Sequence, residues 1–160
     1  MMLQETYTLA NGVSIPKLGL GTWMITGPDC EQAVIEAIKM GYRHIDSAQD
    51  YGNEVEVGAG VRNSGVDRKD IFVTTKLAAQ YKTYEGAKAA IEESLQRLDI
   101  DYIDMVIIHS PQPWGEFGGN DRFAEGNLAA WRALEEAHDA GKIRAIGLSN
   151  FQQADVENIL

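Results

Sequence analysis

Apolar positions along the chain follow two rhythms in turn, short unbroken runs and then stripes recurring every three or four residues. The first predicts buried strands and the second amphipathic helices. Strands are predicted at 18–22, 43–46, 71–76, 105–109 and 143–149. Cys30, Val34, Ile35 and Ile38 mark a helix that stops at Gly41, and Val57 with Val61 marks a second ending near Gly65. Ala87, Ile91, Leu95 and Leu98 give a third, and Leu128, Trp131 and Leu134 a fourth that stops at Gly141, with Trp131 expected as plain core. A last helix begins at Ala154. Near the start, two β-prone runs flank Asn11-Gly12, the pair that best fits the φ > 0 positions of a tight hairpin turn.

The 71–76 run is β-branched and apolar on both faces, as a parallel strand covered on both sides should be. Five strands alternating with helices, and no linker between them, demand right-handed crossovers and a parallel sheet within a single domain, 1–160. Pattern alone leaves two architectures open. A five-stranded doubly wound sheet of flavodoxin type fits 160 residues, whereas a complete eight-stranded barrel needs about 250. Periodicity and length favour the doubly wound sheet.

Composition narrows the function. Hydrophobic content of 44% and charged content of 24% suit a soluble globular protein. A net charge of −10 argues against a polyanion as partner, so no nucleic acid is expected. Cys30 is the single cysteine, which rules out an internal disulfide. No apolar run approaches the ~20 residues of a membrane span, and residues 1–10 lack a signal-peptide core. A cytoplasmic protein that does not engage membranes is the expectation.

Candidate chemistry gathers in 41–58. Gly41 suits the left-handed position after a helix, Asp46 ends a strand, Tyr51 lies in the loop that follows, and Asn53 is placed to cap the next helix. Ligands of α/β proteins bind at the carboxyl ends of strands, so the acid and the phenol are candidates. Gly19-x-Gly21 invites a dinucleotide reading, but Met24 is not the third glycine of a Rossmann fingerprint, and that reading is rejected. His44 and Asp46 could suggest a metal pair, yet no third ligand clusters nearby and no metal is expected. His138 is expected on a helix surface.

Gly41-Tyr42-Arg43, Asp46, Ser47-Ala48, Tyr51, Glu54 and Gly58 together resemble a signature of the aldo-keto reductases. Arg144-x-Ile146-Gly147-Leu148-Ser149-Asn150-Phe151 resembles that family's second signature. Lys76 after Val73-Thr74-Thr75, and His109 before Ser110-Pro111, fall where the family keeps its catalytic Lys and His. Gly21-Thr22-Trp23 is similar to the family's first strand end. The likeness runs through essentially the whole chain but covers only the front of the family's chain, and the Lys- and Ser-rich third signature has no counterpart. It implies a parallel (β/α) TIM-barrel fold, truncated to about five βα units after an N-terminal β-hairpin. That overturns the preference for a doubly wound sheet.

Asp46, Lys76 and His109 end successive predicted strands, so their side chains can converge at the mouth of a parallel sheet, with Tyr51 folding over it. A carbonyl reduced by hydride becomes an alkoxide that must be protonated. A phenol with an ordinary pKa of about 10 is a reluctant acid at neutral pH, and a nearby cation favours its phenolate. Lys76 is the expected cation, Asp46 its holder, and His109 the hydrogen-bond donor to the carbonyl oxygen. Singly, each has a bland reading as a cap, a solvated strand end or a core histidine. The resemblance implies the same tetrad, with NADPH as hydride source and Tyr51 as proton donor. It also implies cofactor contacts from Gly21, Thr22, Asp46, Ser149 and Asn150, the last two at the nicotinamide carboxamide. Trp23, His109 and Trp114 are expected to wall the substrate. The expected activity is reduction of a small aldehyde or ketone by a parent that is monomeric. The alternatives are an inert half-barrel, free to self-associate through open strand edges, and a cofactor-binding subunit without turnover.

Overall fold

The computed structural model describes residues 2–160. A hairpin comes first, with β1 (Thr6–Thr8) antiparallel to β2 (Ser14–Pro16). Its turn is not the two-residue type that Asn11-Gly12 suggested. Leu9 N donates to Val13 O at 2.8 Å, and of that pair only Gly12 takes a left-handed φ, +83°. This is a three-residue loop whose last position needs glycine. Asn11 instead pins the hairpin to the main sheet, its Nδ2 donating to Arg144 O at 2.9 Å.

The main sheet holds β3 (Leu20–Gly21), β4 (His44–Asp46), β5 (Phe72–Leu77), β6 (Ile103–Ile108) and β7 (Ile143–Leu148). All neighbours are parallel and stand in chain order, β3-β4-β5-β6-β7. A doubly wound sheet reverses its strand order at a switch point, and these strands step in one direction as the staves of a (β/α) barrel do. The crossovers contain α1 (Pro28–Lys39), α2 (Glu54–Asn63), α3 (Tyr84–Leu98) and α4 (Ala124–Asp139), and α5 (Gln153–Ile159) follows β7.

Strand side chains alternate between two faces. Ile45, Val73, Leu77, Val106 and Ile108 are buried toward the helices, against Val34, Val57, Ile91 and Leu134. The opposite face carries His44, Asp46, Thr74 and Lys76, and His44 bonds Thr74 as Asp46 bonds Lys76. The fourth helix buries a different stripe from the one its large residues suggested. Asn127, Ala130, Ala133, Leu134 and Ala137 face inward, while Leu128 is exposed and Trp131 is half-buried with its N–H on Glu135. Small residues around Leu134 let α4 approach closely, and Leu128 and Trp131 lie beside the contact. Asn53 precedes α2 but does not cap it. Its Nδ2 donates to Thr22 O and Ile25 O at 2.8 and 2.9 Å, and its Oδ1 accepts from Ser47 Oγ at 2.7 Å, joining the loops after β3 and β4. Burial pushes the Cys30 thiol up to about 11, which leaves it unreactive.

Glycine is required where α2 meets the end of α3. A Cβ built on Gly58 would lie 1.9 Å from Leu98 O. Alanine in a helix normally gains up to about 1 kcal/mol over glycine, but here it must displace backbone. Gly58→Ala is therefore expected to destabilise the chain by about 1–3 kcal/mol, read as a lower Tm in thermal unfolding, and a raised Tm would show that the two helices separate freely.

His44 packs edge-on against Phe72, ring centroids 5.1 Å apart, with Nε2 2.8 Å from Thr74 Oγ1. Burial holds its imidazole below the ordinary range, outweighing the attraction of Asp46 for the charged form. The unfolded chain therefore takes up this proton first. The ring's contribution to stability is intact above about pH 6.5 and drains away as pH falls toward the lowered value. The gap in unfolding free energy between wild type and His44→Gln should narrow between about pH 7.5 and pH 5 in urea titrations; a constant gap would mean the folded ring accepts its proton as readily as the unfolded one.

Candidate active site

Backbone bonds fix the rim at the carboxyl ends of the strands. Thr22 N donates to Asp46 O at 3.0 Å, Ser47 N to Thr74 O at 2.8 Å, His109 N to Leu77 O at 3.0 Å and Ser149 N to Ile108 O at 2.9 Å. Each residue lies just past its strand, yet main-chain geometry holds it.

Lys76 occupies the centre, its side chain only 10% exposed. Its Nζ donates to both Asp46 oxygens at 2.8 Å, to Ser47 O at 2.8 Å and to Tyr51 Oη at 3.2 Å. An ammonium has three protons and no lone pair, so the phenolic oxygen accepts here and keeps its own proton for another partner. Tyr51 ends a short turn, Gln49–Tyr51, that Gly52 closes with a left-handed φ of +65°. The Gln49 side chain anchors that turn. Its Oε1 accepts from Ala78 N at 2.8 Å, and its Nε2 donates to Ala90 O and Ser94 Oγ at 2.9 and 2.8 Å.

The His109 ring stands edge-on to Tyr51, with centroids 5.8 Å apart, and at 89° to Trp114, 5.0 Å away. Asp50 also belongs here, although nothing in the sequence reading singled it out. Its Oδ2 accepts from Trp114 Nε1 at 3.1 Å and lies 3.2 Å from His109 Nδ1, off the line of a good hydrogen bond. The His109 ring, and then the indole N–H, hold the Asp50 carboxyl below the usual range against the opposing effect of burial. Its position beside Tyr51 was the available signal; the tight turn that aims both residues at one rim was not legible.

The other expected residues divide. Asn150, at a left-handed φ of +60°, donates from Nδ2 to His109 O at 2.8 Å and to Ser149 Oγ at 3.1 Å, so the end of β7 joins the same rim. Gly21 borders open space, since a Cβ there would meet nothing within 4 Å. Thr22 is fully buried and its hydroxyl donates to Asp46 O at 2.9 Å. Trp23 is 70% exposed beyond β3, whereas Trp114 is tied to His109 and Asp50. His44 and Asp46, weighed as a metal pair, are engaged by Thr74 and Lys76 respectively.

The rim has relatives. The sequence model of the Aldo/keto reductase family matches residues 17–160. Glyoxal reductase of Bacillus subtilis is 43% identical over 159 residues, covering 99% of this chain and 54% of that protein. An aldo/keto reductase structure from Brucella melitensis aligns with a TM-score of 0.88 at 41% identity, covering 97% of this chain and 57% of that one. An aldo-keto reductase of Bombyx mori, solved in complex with NADP, aligns with a TM-score of 0.81 at 35% identity over 97% of this chain and 53% of its own. The chain thus spans about half the length of the relatives it matches.

Proposed function

Because this chain belongs to the aldo/keto reductase family, we propose that it carries the catalytic corner of an enzyme reducing a small aldehyde or ketone to an alcohol, with NADPH as the reductant. The bond from Lys76 Nζ to Tyr51 Oη is the observation that carries this reading.

In the proposed reaction the nicotinamide, when bound, supplies the hydride to the carbonyl carbon. Tyr51 delivers its phenolic proton to the carbonyl oxygen as negative charge builds there. The electron pair of the broken O–H bond stays on the phenolic oxygen, where the Lys76 ammonium stabilises it. Asp46 and Ser47 O hold that ammonium in place. His109 donates a hydrogen bond to the same carbonyl oxygen, orienting the substrate and sharing the developing charge.

The donor set fits a nicotinamide cofactor. Asn150 spends its amide hydrogens on His109 O and Ser149 Oγ, so the pair offers the Ser149 hydroxyl proton and Asn150 Oδ1 beside His109, a donor and an acceptor complementary to an amide ligand. The open space at Gly21 lets a ring approach Asp46. NADP in a structural relative supports the same assignment. Thr22 contributes here by fixing the Asp46 backbone. Trp114, held over His109, forms the apolar side of the substrate site.

Two measurements test this. NADPH should quench tryptophan emission of the 160-residue chain with a micromolar Kd, and an absence of binding would favour an inert half-barrel. Tyr51→Phe should retain that binding and lower kcat for aldehyde reduction by about 10²–10⁴-fold, the usual contribution of a positioned acid, and an unchanged rate would dismiss the phenol as proton donor.

A further inference from the structure

The loop from β6 to α4 is long, irregular and folded around one buried side chain. Gln112 is fully buried. Its Nε2 donates to Gly119 O at 3.0 Å and Asp121 O at 2.5 Å, while its Oε1 accepts from Gly118 N at 2.9 Å and Arg122 Nη1 at 2.7 Å. A primary amide has two donated hydrogens and two acceptor lone pairs, so every bonding position is filled. No apolar residue of similar length could replace that set.

The bonds close a ring of backbone whose outer side carries Trp114 and Phe117, tilted rings 5.7 Å apart. Both are exposed, at 45% and 54%, although apolar rings of this size gain by being covered. Trp114 is then fixed through its indole N–H by Asp50 and packs at right angles to the His109 ring. Arg122 carries the brace onward, its Nε donating to Asp155 Oδ1 at 2.9 Å and its Nη2 to Asp155 Oδ2. Asp155 in turn accepts from Gln152 N at 2.9 Å at the start of α5. The loop is therefore tied to the segment that follows Ser149 and Asn150.

We propose that Gln112 is a positioning residue for substrate selection, holding the Trp114–Phe117 wall over His109 so that the site favours carbonyl compounds bearing an aromatic or other flat apolar group. It rests on reading the rim as a carbonyl-reducing site. Gln112 touches no reacting atom and acts through the two rings.

The test compares wild type, Gln112→Met and Gln112→Glu in the full 160-residue chain. Hydrogen exchange of the 114–121 amides should quicken about tenfold or more in Gln112→Met while amides of β6 and α4 keep their rates, since local opening need not spread to packed elements. Gln112→Glu keeps the two accepted bonds but sets a carboxylate oxygen against the Gly119 and Asp121 carbonyls, so the same loop amides should quicken in it as well. In turnover, Gln112→Met should raise KM for benzaldehyde about tenfold, leave its kcat within about twofold, and leave KM for propanal unmoved, the pattern of lost uniform binding. Unchanged exchange in the loop would overturn the proposal. So would exchange that rises throughout the chain, or a quickened loop in an active enzyme with no difference between the two aldehydes. A wild-type chain that reduces neither aldehyde counts against the reductase reading alone, and the exchange comparison still decides whether Gln112 holds the wall.

Discussion

One buried ammonium governs the geometry of the rim. Burying a cation is costly unless its charge is paired and its protons are accepted. Lys76 meets both conditions, and all its acceptors come from residues 46–51. The demand of one lysine thus decides how the chain leaves β4, turns, and returns to start α2. Gln49 and Asn53 reinforce that path from outside by bonding to α3, to Ala78 just after β5 and to the loop after β3. A carboxylate, a carbonyl and a phenol are brought together because each solves part of the same desolvation problem.

The sheet was legible because strands and helices impose different periods, and the crossover rule converts their alternation into a parallel sheet. Strand order was not legible from period at all. It came from fixed residue types around Asp46 and Ile146, and the sequential order β3 to β7 agrees with that source over the length argument. Where periodicity misled, the cause was size. Leu134 is buried as the stripe implied, but beside it α4 is seated by Ala130, Ala133 and Ala137, which permit closer approach than Leu128 and Trp131 would. Asn11-Gly12 and Asn53 misled for a related reason. Local propensity pointed to a tight turn and a helix cap, and longer-range partners, Arg144 O and Thr22 O, claimed the side chains.

At the site, the residues that end strands could be anticipated, since a strand's direction and end are readable. Asp50 and Gln112 could not. Their roles depend on turns that bring sequence neighbours onto opposite sides of a backbone, one aimed at the rim and the other into the interior. Neither is unusual in composition or spacing. An irregular loop conceals its most constrained side chain because only three-dimensional closure shows which amide fills every bonding position.

The main-chain bonds that set the rim, Thr22 to Asp46, Ser47 to Thr74, His109 to Leu77 and Ser149 to Ile108, make no reference to side-chain identity. These bonds would survive exchange of the side chains at His109 and Ser149, whereas the path of residues 46–51 depends on Lys76. A lineage can therefore vary what strand ends such as those of β6 and β7 present and inherit the same cradle, but only while a buried cation keeps its place at the end of β5.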